Sequence, residues 1–305
     1  ALFMSQTLIS SGLSQMLVRA STGRVAAPPE FYEKLAIGMS TNGIDWQWLY
    51  TKPTLTNFSR DASLIRYQSD FVTVFTSAFN STNATFGLAR SSDLVNWTAT
   101  NVALTGAAMT NTPNNTWAPE WFVEDGRYYV LVRSSQTSGN NYGEPGIGYI
   151  ECRDPGTWTD WTDFTVLPGP RSNENDPFLI KVGSTYHLFT DDGGTGTGKI
   201  LHRTSTNSAF AGYGEPTVIG TDFRQAAALT NSTAWWQATP FEGQFVLPLG
   251  GDNYRLYFQA AWWDNCFAID STNGMQSWNL DSMQQLTYDG KPASGFGINL
   301  QSGAN

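Results

Sequence analysis

WAPEWFVEDGRYYVLVRS, residues 117–134, contains the pattern that decides the fold. A short apolar run leads to Asp-Gly at 125–126, and an alternating aromatic and aliphatic run follows. Asp-Gly between two such runs is a strong hairpin signal, because both residues tolerate the positive φ that tight hairpin turns need. The stretch therefore predicts two antiparallel β-strands joined by a tight turn.

The same hairpin pattern occurs three more times along the chain. It begins at Asp61 (DASLIRYQSDFVTVFTS), at Asn175 (NDPFLIKVGSTYHLFTD) and at Glu242 (EGQFVLPLGGDNYRLYFQ). The successive starts lie about 56, 58 and 67 residues apart, and helical periodicity is almost absent. Units of about four strands at this spacing are typical of a β-propeller, whereas a β-sandwich, the structural alternative, does not explain the spacing.

The two ends of the chain are expected to share one further unit. EKLAIGMSTNGIDWQWL (33–49) has the character of outer strands without a preceding hairpin, and GFGINL (295–300) that of an inner strand without a following one. Joining them leaves few unpaired strand edges. We therefore expect an all-β chain that forms a single five-bladed β-propeller domain over residues 1–305, with the fifth blade closed by both chain termini. Residues 1–30 match none of these units.

A second motif, Ser followed by Asn or Asp and then by Trp, comes after the hairpins. It occurs as STNGIDW (40–46), SSDLVNW (91–97) and STNGMQSW (271–278), with a weaker form in RDPGTWTDW (153–161). Ser, Asn and Asp side chains hydrogen-bond to nearby backbone amides and favour turns. The motif predicts a turn that is capped by side chains and closed by an aromatic ring.

Three of the hairpins have an acidic residue at their first or second position, namely Asp61, Asp176 and Glu242. In a propeller the first strand of each blade lines the central channel. Single acids at strand starts commonly form turns or caps, but three at matching positions of different blades are expected to face one axial cavity. A protonated and an ionised carboxyl group in one pocket are what glycoside hydrolysis requires.

The surroundings of two of these acids predict different protonation states. Glu242 closely follows Trp235 and Trp236, and a partly apolar site keeps a carboxyl group protonated, as an acid catalyst needs. Asp61 follows Arg60, whose positive charge favours the ionised form that a base needs. Glu242 and Asp61 are therefore the candidate acid and base.

The motifs RDASLI, WAPEWFVEDGRYYVLV, NDPFLI and FEGQFV, in this order and spacing, resemble the blade starts of the family 43 glycoside hydrolases and their five-bladed relatives. The resemblance extends from about residue 35 to the end of the chain. It implies an inverting enzyme with Asp61 as the general base, Asp176 as the residue that tunes and orients the acid, and Glu242 as the general acid. It also implies an acid and a base about 6.5–9.5 Å apart, which leaves room for the attacking water.

The resemblance further implies a catalytic domain that acts on glycans of the plant cell wall. An exo-acting α-L-arabinofuranosidase comes first, and a β-xylosidase or a galactofuranosidase or galactosidase of the same fold is the alternative. A lectin-like propeller without catalysis is an alternative of another class, but it gives no reason for two Asp and one Glu on one axis. The chain departs from the family pattern at Asp61-Ala62, where Asp-Pro is frequent, and in having no His in the last unit.

Aromatic and polar residues near the blade starts are candidates for sugar contacts. Aromatic rings cover the C–H faces of sugars, although most of the 12 Trp residues are expected to pack in cores. The candidate substrate-binding residues are Arg60, Trp117, Glu120, Asn175, Trp235, Trp236 and Trp262. The expected partner is an oligosaccharide or polysaccharide, bound by a monomer.

The composition of the chain argues against other classes of partner. The formal net charge is −9, from 17 Lys and Arg and 26 Asp and Glu, and no basic patch occurs, so nucleic acid is not an expected partner. No run of about 18 apolar residues occurs, so no membrane span is expected. With two Cys and two His and no ligand spacing among them, no metal and no other cofactor is expected.

Asn-x-Ser/Thr sequences indicate the location of the protein. Six occur, which is more than chance gives in a chain of this composition, and they predict a secreted glycoprotein. The candidate glycosylated residues are Asn57, Asn80, Asn83, Asn96, Asn114 and Asn231.

Cys152 and Cys266 either form a disulfide, as the extracellular environment allows, or are two buried thiols.

Overall fold

The computed structural model describes residues 15–20, 35–48, 55, 59–78, 84–109, 115–135, 145–192, 199–230, 241–260, 265–288 and 290–292 of the 305-residue chain. Most regular structure in these residues is β-strand. Helix is confined, in the same residues, to 3-10 turns at Ala107–Met109 and Phe223–Gln225 and to one α-helical turn at Ala227–Thr230. No helix in this part of the chain has the length and apolar character needed to cross a membrane. The predicted all-β class is confirmed.

The described chain begins with three strands of one sheet. β1 (Gln15–Ala20), β2 (Leu35–Ser40) and β3 (Asp45–Trp48) pair antiparallel in that order. β1 belongs to residues 1–30, to which the sequence patterns assign no unit. It occupies the place beside β2, while GFGINL (295–300), the expected inner strand, lies outside the described residues.

Four four-stranded sheets follow, and each contains one of the predicted hairpins. Blade 1 consists of β4 (Arg60–Tyr67), β5 (Asp70–Thr76), β6 (Thr85–Ser91) and β7 (Thr98–Ala103). Blade 2 consists of β8 (Asn115–Glu124), β9 (Arg127–Ser135), β10 (Pro145–Cys152) and β11 (Thr165–Val166). Blade 3 consists of β12 (Asn175–Val182), β13 (Thr185–Asp191), β14 (Ile200–Ser205) and β15 (Thr217–Ile219). Blade 4 consists of β16 (Phe241–Gly250), β17 (Asn253–Ala260), β18 (Asn265–Ser271) and β19 (Asn279–Gln285).

Two short strands after blade 4 return to the first sheet. β20 (Thr287–Tyr288) pairs parallel with β3 and antiparallel with β21 (Lys291–Pro292). The sheet of β1, β2, β3, β20 and β21 is called the terminal sheet below. Strands that are far apart in the chain therefore share this sheet.

The blades pack against one another through their first strands. β4 contacts β8, β8 contacts β12, and β12 contacts β16. β1 of the terminal sheet also contacts β4. First strands that lie side by side in this way are the arrangement of a β-propeller. Because the predicted acids stand at the starts of these strands, the packing gathers them at one end of the first strands.

The hydrophobic cores lie between neighbouring blades. Leu64 shares a core with the terminal sheet, whereas the next residue, Ile65, shares one with blade 2. Trp121 and Phe122 likewise belong to different cores, toward blade 1 and blade 3. Successive side chains of a strand point to opposite faces, and here both faces are covered. For this reason the first strands are continuous apolar runs in the sequence.

The terminal sheet contacts blades on two sides. Leu35 and Ile37 of β2 share a core with Leu64 of blade 1. On the other side, Arg255 of blade 4 donates a hydrogen bond to the carbonyl oxygen of Asn42 at 2.6 Å. The terminal sheet therefore has blade 1 as one neighbour and blade 4 as another.

The predicted side-chain-capped turns are confirmed. Ser40 Oγ accepts the Gly43 amide at 2.8 Å, and Asn42 Oδ1 accepts two further backbone amides at 2.8 Å. The turns at 91–97 and 271–278 repeat this pattern of hydrogen bonds. In the turn at 91–97 the Trp ring also donates to a backbone carbonyl of the turn. The serine and the amide or carboxylate oxygen thus satisfy amides that would otherwise need water.

We expect Asp93→Ala to lower the melting temperature and Asp93→Asn to preserve it, because Asn holds the same place in the other two turns. Asp93 Oδ1 accepts the amides of Asn96 and Val95 at 2.8 and 2.9 Å. These donors hold the pKa of Asp93 well below its usual range. The stabilisation from ionised Asp93 is therefore present above the usual carboxyl pKa and is lost as the pH falls toward the lowered value.

Thermal denaturation at neutral and at acid pH checks this expectation. Acid should lower the melting temperature of Asp93→Asn less than that of the wild type, because Asn does not titrate. If Asp93→Ala has the same melting temperature as the wild type at neutral pH, the Asp93 side chain does not stabilise the turn.

One candidate glycosylated residue, Asn96, falls within the described part of the chain. It is exposed, and its Nδ2 donates to Asp93 Oδ2 at 2.7 Å. The candidates outside the described residues are Asn57, Asn80, Asn83, Asn114 and Asn231.

The structure decides between the two alternatives for the cysteines. Cys152 lies on β10 of blade 2 and Cys266 on β18 of blade 4, and each is buried in a different core. The disulfide is the wrong alternative, because blade 3 separates the two residues in the order of packing. Both are buried thiols, and burial raises the pKa of the Cys152 thiol to about 12.

Candidate active site

The first strand of each blade begins with the same irregular step. The pairing register of the hairpin shifts within residues 60–63, 117–120, 175–178 and 242–245. The second residue of each step has a positive φ: 50° at Asp61, 47° at Ala118, 46° at Asp176 and 61° at Gly243. Residues other than glycine seldom adopt this conformation, and such strain is concentrated at functional sites.

This step corrects the expected equivalence of the three acids. Asp61 and Asp176 occupy equivalent positions, but Glu242 stands one residue earlier, and Gly243 is the counterpart of the two aspartates. Glu242 is aligned with Arg60 instead. The irregular step is a β-bulge, which interrupts the strict alternation of side chains along the strand. The first residue of the step, such as Glu242, and the second, such as Asp61 or Asp176, can therefore both face one site.

The structure brings Asp61, Asp176, Glu242 and Arg60 together, and these residues are called the acid cluster below. The Gly243 amide donates to Asp176 Oδ2 at 3.0 Å, which joins the acid of blade 3 to the residue beside Glu242. Arg60 Nε lies 3.6 Å from Asp61 Oδ2. The charges of the three carboxyl groups and of Arg60 act on one another. Residues from blades 1, 3 and 4 thus form one electrostatic unit.

Asp61 is supplied with a hydrogen-bond donor and a neighbouring cation. Thr76 Oγ1, at the end of β5, donates to Asp61 Oδ2 at 2.9 Å. The same hydroxyl oxygen accepts the Ala118 amide of blade 2 at 2.9 Å, which directs its proton toward Asp61. With Arg60 beside it, Asp61 contacts one hydroxyl donor and one guanidinium group.

Glu242 lies in a setting that favours its protonated form. Burial raises the pKa of Glu242, and the negative charges of Asp176 and Asp61 raise it further against the opposing charge of Arg60. Glu242 Oε1 is buried and has no hydrogen-bond partner among the residues that the structure describes. A buried oxygen of this kind disfavours the charged carboxylate, so the site favours a neutral carboxyl group that can donate its proton.

Asp176 lies under opposing influences. Burial raises its pKa, and the negative charge of Asp61 adds to the rise. The Gly243 amide, the charge of Arg60 and a hydrogen bond with the Asp191 side chain oppose it. Asp176 is therefore an acid whose protonation depends on its contacts with blades 1 and 4 and with its own hairpin.

The structure describes four of the seven candidate substrate-binding residues. Arg60 and Asn175 are partly exposed and stand beside the two aspartates. Trp117 and Glu120 lie on β8 and are 7% and 5% exposed. The remaining candidates, which lie outside the described residues, are Trp235, Trp236 and Trp262.

Sequence reasoning missed the residues that hold the acids in place. Thr76 and Asp191 end the second strands of their hairpins, opposite Arg60 and Asn175. Gln244 Nε2 donates to the backbone carbonyl of Asp176. Hairpin pairing gives the signal for Thr76 and Asp191. Counting paired residues outward from each hairpin turn places both of them near the acids, with an error equal to the register shift at the bulge.

A buried ion pair fixes the chain just before Asp176. Arg203 Nη2 and Nη1 donate to Glu174 Oε1 and Oε2 at 2.6 and 2.7 Å, and both side chains are 1% exposed. Thr190 Oγ1 donates to Glu174 Oε2 at 2.6 Å, and the Arg171 amide donates to Oε1 at 3.0 Å. Because its hydrogen bonds are satisfied on all sides, this pair anchors the entry to β12.

Arg203→Ala is expected to lower the free energy of unfolding by about 3–5 kcal/mol, because it leaves the Glu174 charge buried without its partner. Arg171→Ala is the matched control. Its ion pair with Glu215 is 3.1 Å long, with side chains 64% and 88% exposed, and its loss should cost less than about 1 kcal/mol. Urea denaturation of both variants measures the difference, and equal losses would contradict the anchoring role of the buried pair.

No group of three or more His, Cys, Asp and Glu side chains suited to holding a metal ion occurs within the described ranges. His187 and His202 of blade 3 contact each other, with Nδ1 and Nε2 3.0 Å apart. Burial lowers the pKa of both imidazoles.

Known proteins resemble this chain over part of its length. Probable arabinan endo-1,5-alpha-L-arabinosidase C of Aspergillus niger is 27% identical over 174 residues, which are 52% of this chain and 54% of that protein. Probable arabinan endo-1,5-alpha-L-arabinosidase A of Emericella nidulans is 34% identical over 101 residues, which are 32% of this chain and 29% of that protein. The chain thus spans about half the length of the first of these curated relatives and less than a third of the second.

The fold also resembles solved structures. The crystal structure of exo-1,5-alpha-L-arabinanase from a bovine ruminal metagenomic library aligns with a TM-score of 0.53 and 18% sequence identity, covering 77% of this chain and 78% of that chain. At this identity the likeness shows the fold alone. The sequence profile of the family described as "Glycosyl hydrolases family 43" matches residues 50–219, which is more than half of the chain. The chain therefore belongs to family 43 of the glycosyl hydrolases.

Proposed function

We propose that the protein is an inverting, exo-acting α-L-arabinofuranosidase. The observation that carries the proposal is the acid cluster, in which Glu242 and Asp176, with raised pKa values, lie beside Asp61, which accepts a hydrogen bond from a hydroxyl group. Glu242 is the general acid, Asp61 is the general base, and Asp176 tunes and orients Glu242. A neutral and an ionised carboxyl group are the pair that hydrolysis with inversion needs.

The proposed reaction is a single displacement. Glu242 donates its proton to the glycosidic oxygen as the bond from that oxygen to the anomeric carbon breaks. Asp61 takes a proton from a water molecule that attacks the same carbon from the opposite face, and the released sugar has the inverted configuration. Glu242 is left ionised and Asp61 protonated, and exchange with solvent restores both before the next turnover.

The names of similar proteins support arabinan as the substrate class. Two relatives are named as probable arabinan endo-1,5-α-L-arabinosidases, and a structure of the same fold is an exo-1,5-α-L-arabinanase. Endo action on 1,5-linked arabinan is therefore the second candidate, and the names of both curated relatives favour it. A β-xylosidase and a galactofuranosidase or galactosidase remain the alternatives for the sugar.

A panel of aryl furanosides and pyranosides tests the reaction and the sugar. Hydrolysis of the α-L-arabinofuranoside is expected to exceed that of the β-xyloside and the galactosides, and proton NMR at early times should show the β-anomer of arabinose first. A first product of retained configuration would overturn the single displacement. Binding of arabinan oligosaccharides without any turnover would favour the lectin-like alternative.

Linear 1,5-arabinan separates exo from endo action. An exo-acting enzyme releases arabinose while the viscosity of the solution falls slowly. An endo-acting enzyme releases oligosaccharides, and the viscosity falls before much sugar is free. Release of oligosaccharides with an early fall in viscosity would replace exo action by endo action on 1,5-linked arabinan as the proposed function. The residues of the acid cluster would keep the same roles.

We propose further that the terminal sheet is the fifth blade of the propeller and closes the ring with strands from both ends of the chain. Its contacts with blades 1 and 4 support this, as does the hydrogen bond from Thr287 Oγ1 to Asp45 Oδ1 at 2.8 Å. Cysteines placed at positions 45 and 287 should form a cross-link on oxidation of the folded protein. Cysteines that stay reduced would contradict this closure.

A secreted, N-glycosylated and monomeric enzyme is the remaining part of the proposal. The six Asn-x-Ser/Thr sequences and the exposure of Asn96 support it. Expression in a eukaryotic host with a secretion signal should give a protein whose mass falls on treatment with an endoglycosidase. Light scattering should give the mass of one glycosylated chain, and a dimer mass would contradict the monomer.

A further inference from the structure

The bulges of blades 3 and 4 meet at Asp176. In blade 3 the register shift takes Asp176 out of the regular pairing with β13, and in blade 4 it takes Gly243 and Gln244 out of the pairing with β17. The Gly243 amide donates to Asp176 Oδ2 at 3.0 Å, and Gln244 Nε2 donates to the backbone carbonyl of Asp176. The two residues that follow Glu242 therefore hold Asp176 at both its side chain and its backbone.

Among the four described blades, the third residue of the bulged step has a polar side chain in blade 4 alone. Gln244 holds this place in blade 4, and the other blades have Ala62, Pro119 and Pro177 there. Neither Ala nor Pro has a side-chain donor. The step whose third side chain can donate a hydrogen bond is therefore the step that begins with Glu242.

The Gln244 amide is buried, and only its donor is used. Gln244 is 3% exposed. Its Nε2 has the Asp176 carbonyl as acceptor, whereas its Oε1 is buried and has no hydrogen-bond partner among the residues that the structure describes. A buried acceptor without a donor is destabilising, and an apolar side chain of the same length would avoid this cost. What the amide provides in return is the contact with Asp176.

Gly243 is closely packed where its amide donates to Asp176. Its φ is 61°, and a Cβ atom at this position would lie 2.7 Å from Gln259 Nε2. Gln259 is itself 5% exposed on the neighbouring strand β17. Any other residue at 243 would therefore need both an unfavourable backbone conformation and a displaced Gln259. The packing against Gln259 holds the Gly243 amide in place, and Gln244 adds the second contact with Asp176.

We propose that Gln244 is a positioning residue, which fixes Asp176 of blade 3 relative to Glu242 of blade 4. This inference rests on the proposed function, because it concerns the proton of the general acid. The Gly243 amide fixes one oxygen of the Asp176 carboxyl group, and Gln244 fixes the peptide that carries this side chain. The negative charge of Asp176 raises the pKa of Glu242, so the position of Asp176 determines how firmly Glu242 holds its proton.

Gln244→Met tests the inference, because it removes the donor and keeps the length of the side chain. We expect kcat on arabinan oligosaccharides to fall by about tenfold to a hundredfold, and the basic limb of the kcat–pH profile to move about one unit to lower pH. KM should change little, because a side chain that is 3% exposed offers a sugar little surface. Gln244→Asn withdraws the amide by one methylene group and should show the same changes, so it replaces the Met variant if that variant does not fold.

Val246→Ala is the matched control for stability. Val246 lies on the same strand, is 1% exposed and belongs to the core of blade 4. Loss of its two methyl groups should lower the melting temperature and leave the basic limb of the kcat–pH profile in place. If both Gln244 variants keep the wild-type basic limb, or if Val246→Ala moves it equally, Gln244 acts only through the stability of the fold and the inference is overturned.

A carbon-13 NMR titration of the Glu242 carboxyl group gives a readout that needs no substrate. The signal is identified by its absence in Glu242→Gln. Its titration midpoint should lie about one pH unit lower in Gln244→Met than in the wild type, and an unchanged midpoint would overturn the inference. A lowered midpoint in a protein that hydrolyses no glycoside would support the positioning of Asp176 by Gln244 and would reject the proposed function instead.

Discussion

Glu242→Gln is expected to lower kcat on arabinan oligosaccharides by about 10²- to 10⁴-fold, because Gln has no proton to donate to the leaving oxygen. Gln has the size of Glu, and the burial that raises the pKa of Glu242 favours an uncharged side chain, so the fold should be retained. The loss should be much smaller with an aryl arabinofuranoside whose leaving group departs as a stable anion. Such a leaving group does not need protonation in the transition state.

Measurement of kcat against the acidity of the leaving group checks this role. The kcat of the variant should depend steeply on the pKa of the leaving group, whereas the kcat of the wild type should depend on it only weakly. The basic limb of the wild-type kcat–pH profile should be absent in the variant. Glu215→Gln, at a side chain that is 88% exposed, is the control and should behave as the wild type. An equal loss on all leaving groups would mean that Glu242 does not act as the acid.

The same variant has a consequence for stability that needs no substrate. The pKa of Glu242 is raised in the folded protein, so its contribution to stability is fully present below the usual carboxyl pKa and is lost as the pH rises through the folded value. Gln does not titrate. The melting temperature of Glu242→Gln should therefore exceed that of the wild type by an amount that grows as the pH rises through neutral. A difference that stays constant with pH would contradict the raised pKa.

Asp61→Asn is expected to lower kcat by about 10²- to 10⁴-fold on every arabinofuranoside, whatever its leaving group. The base activates the attacking water, and the need for that step does not vary with the leaving group. Asn keeps the shape of Asp61 and can still accept the Thr76 hydrogen bond of 2.9 Å, so the strand start should be preserved. The contrast with Glu242→Gln separates the two roles.

Azide provides the decisive experiment for Asp61. A nucleophile that carries its own negative charge does not need a base, so azide should restore turnover of an aryl α-L-arabinofuranoside by Asp61→Asn and give the β-arabinofuranosyl azide. Thr76→Val serves as a graded control, since it removes one donor to Asp61 and should cost about tenfold in kcat. An azide product of retained configuration would point to a covalent intermediate and would contradict the role of Asp61.

The sequence predicts the blades well because local rules and packing agree there. Each hairpin combines a turn that tolerates positive φ with strands that are apolar on both faces, as Trp121 and Phe122 illustrate with their separate cores. The Ser-Asn and Ser-Asp turns were equally predictable, because their hydrogen bonds join residues that are close in sequence. Local signals of this kind need no knowledge of the neighbouring blades.

The errors have the opposite cause, since they depend on pairings between distant residues. Glu242 and Asp176 both look like an acid at a strand start, and only the bulge and the positive φ of Gly243 reveal that Glu242 stands one position earlier. The cysteines of blades 2 and 4 were a plausible pair until the order of blades separated them. Thr76 has no signal of its own, because its importance comes from its contact with Asp61.

The distance between the carboxyl groups of Asp61 and Glu242 tests the central claim most directly, measured in a crystal structure of the enzyme with an arabinose-containing ligand bound. The bulged strand starts should hold the two groups about 6.5–9.5 Å apart on opposite sides of the anomeric carbon, with a water molecule between Asp61 and that carbon. A separation of about 5–5.5 Å, or a ligand bound away from Asp61, Asp176 and Glu242, would contradict the account.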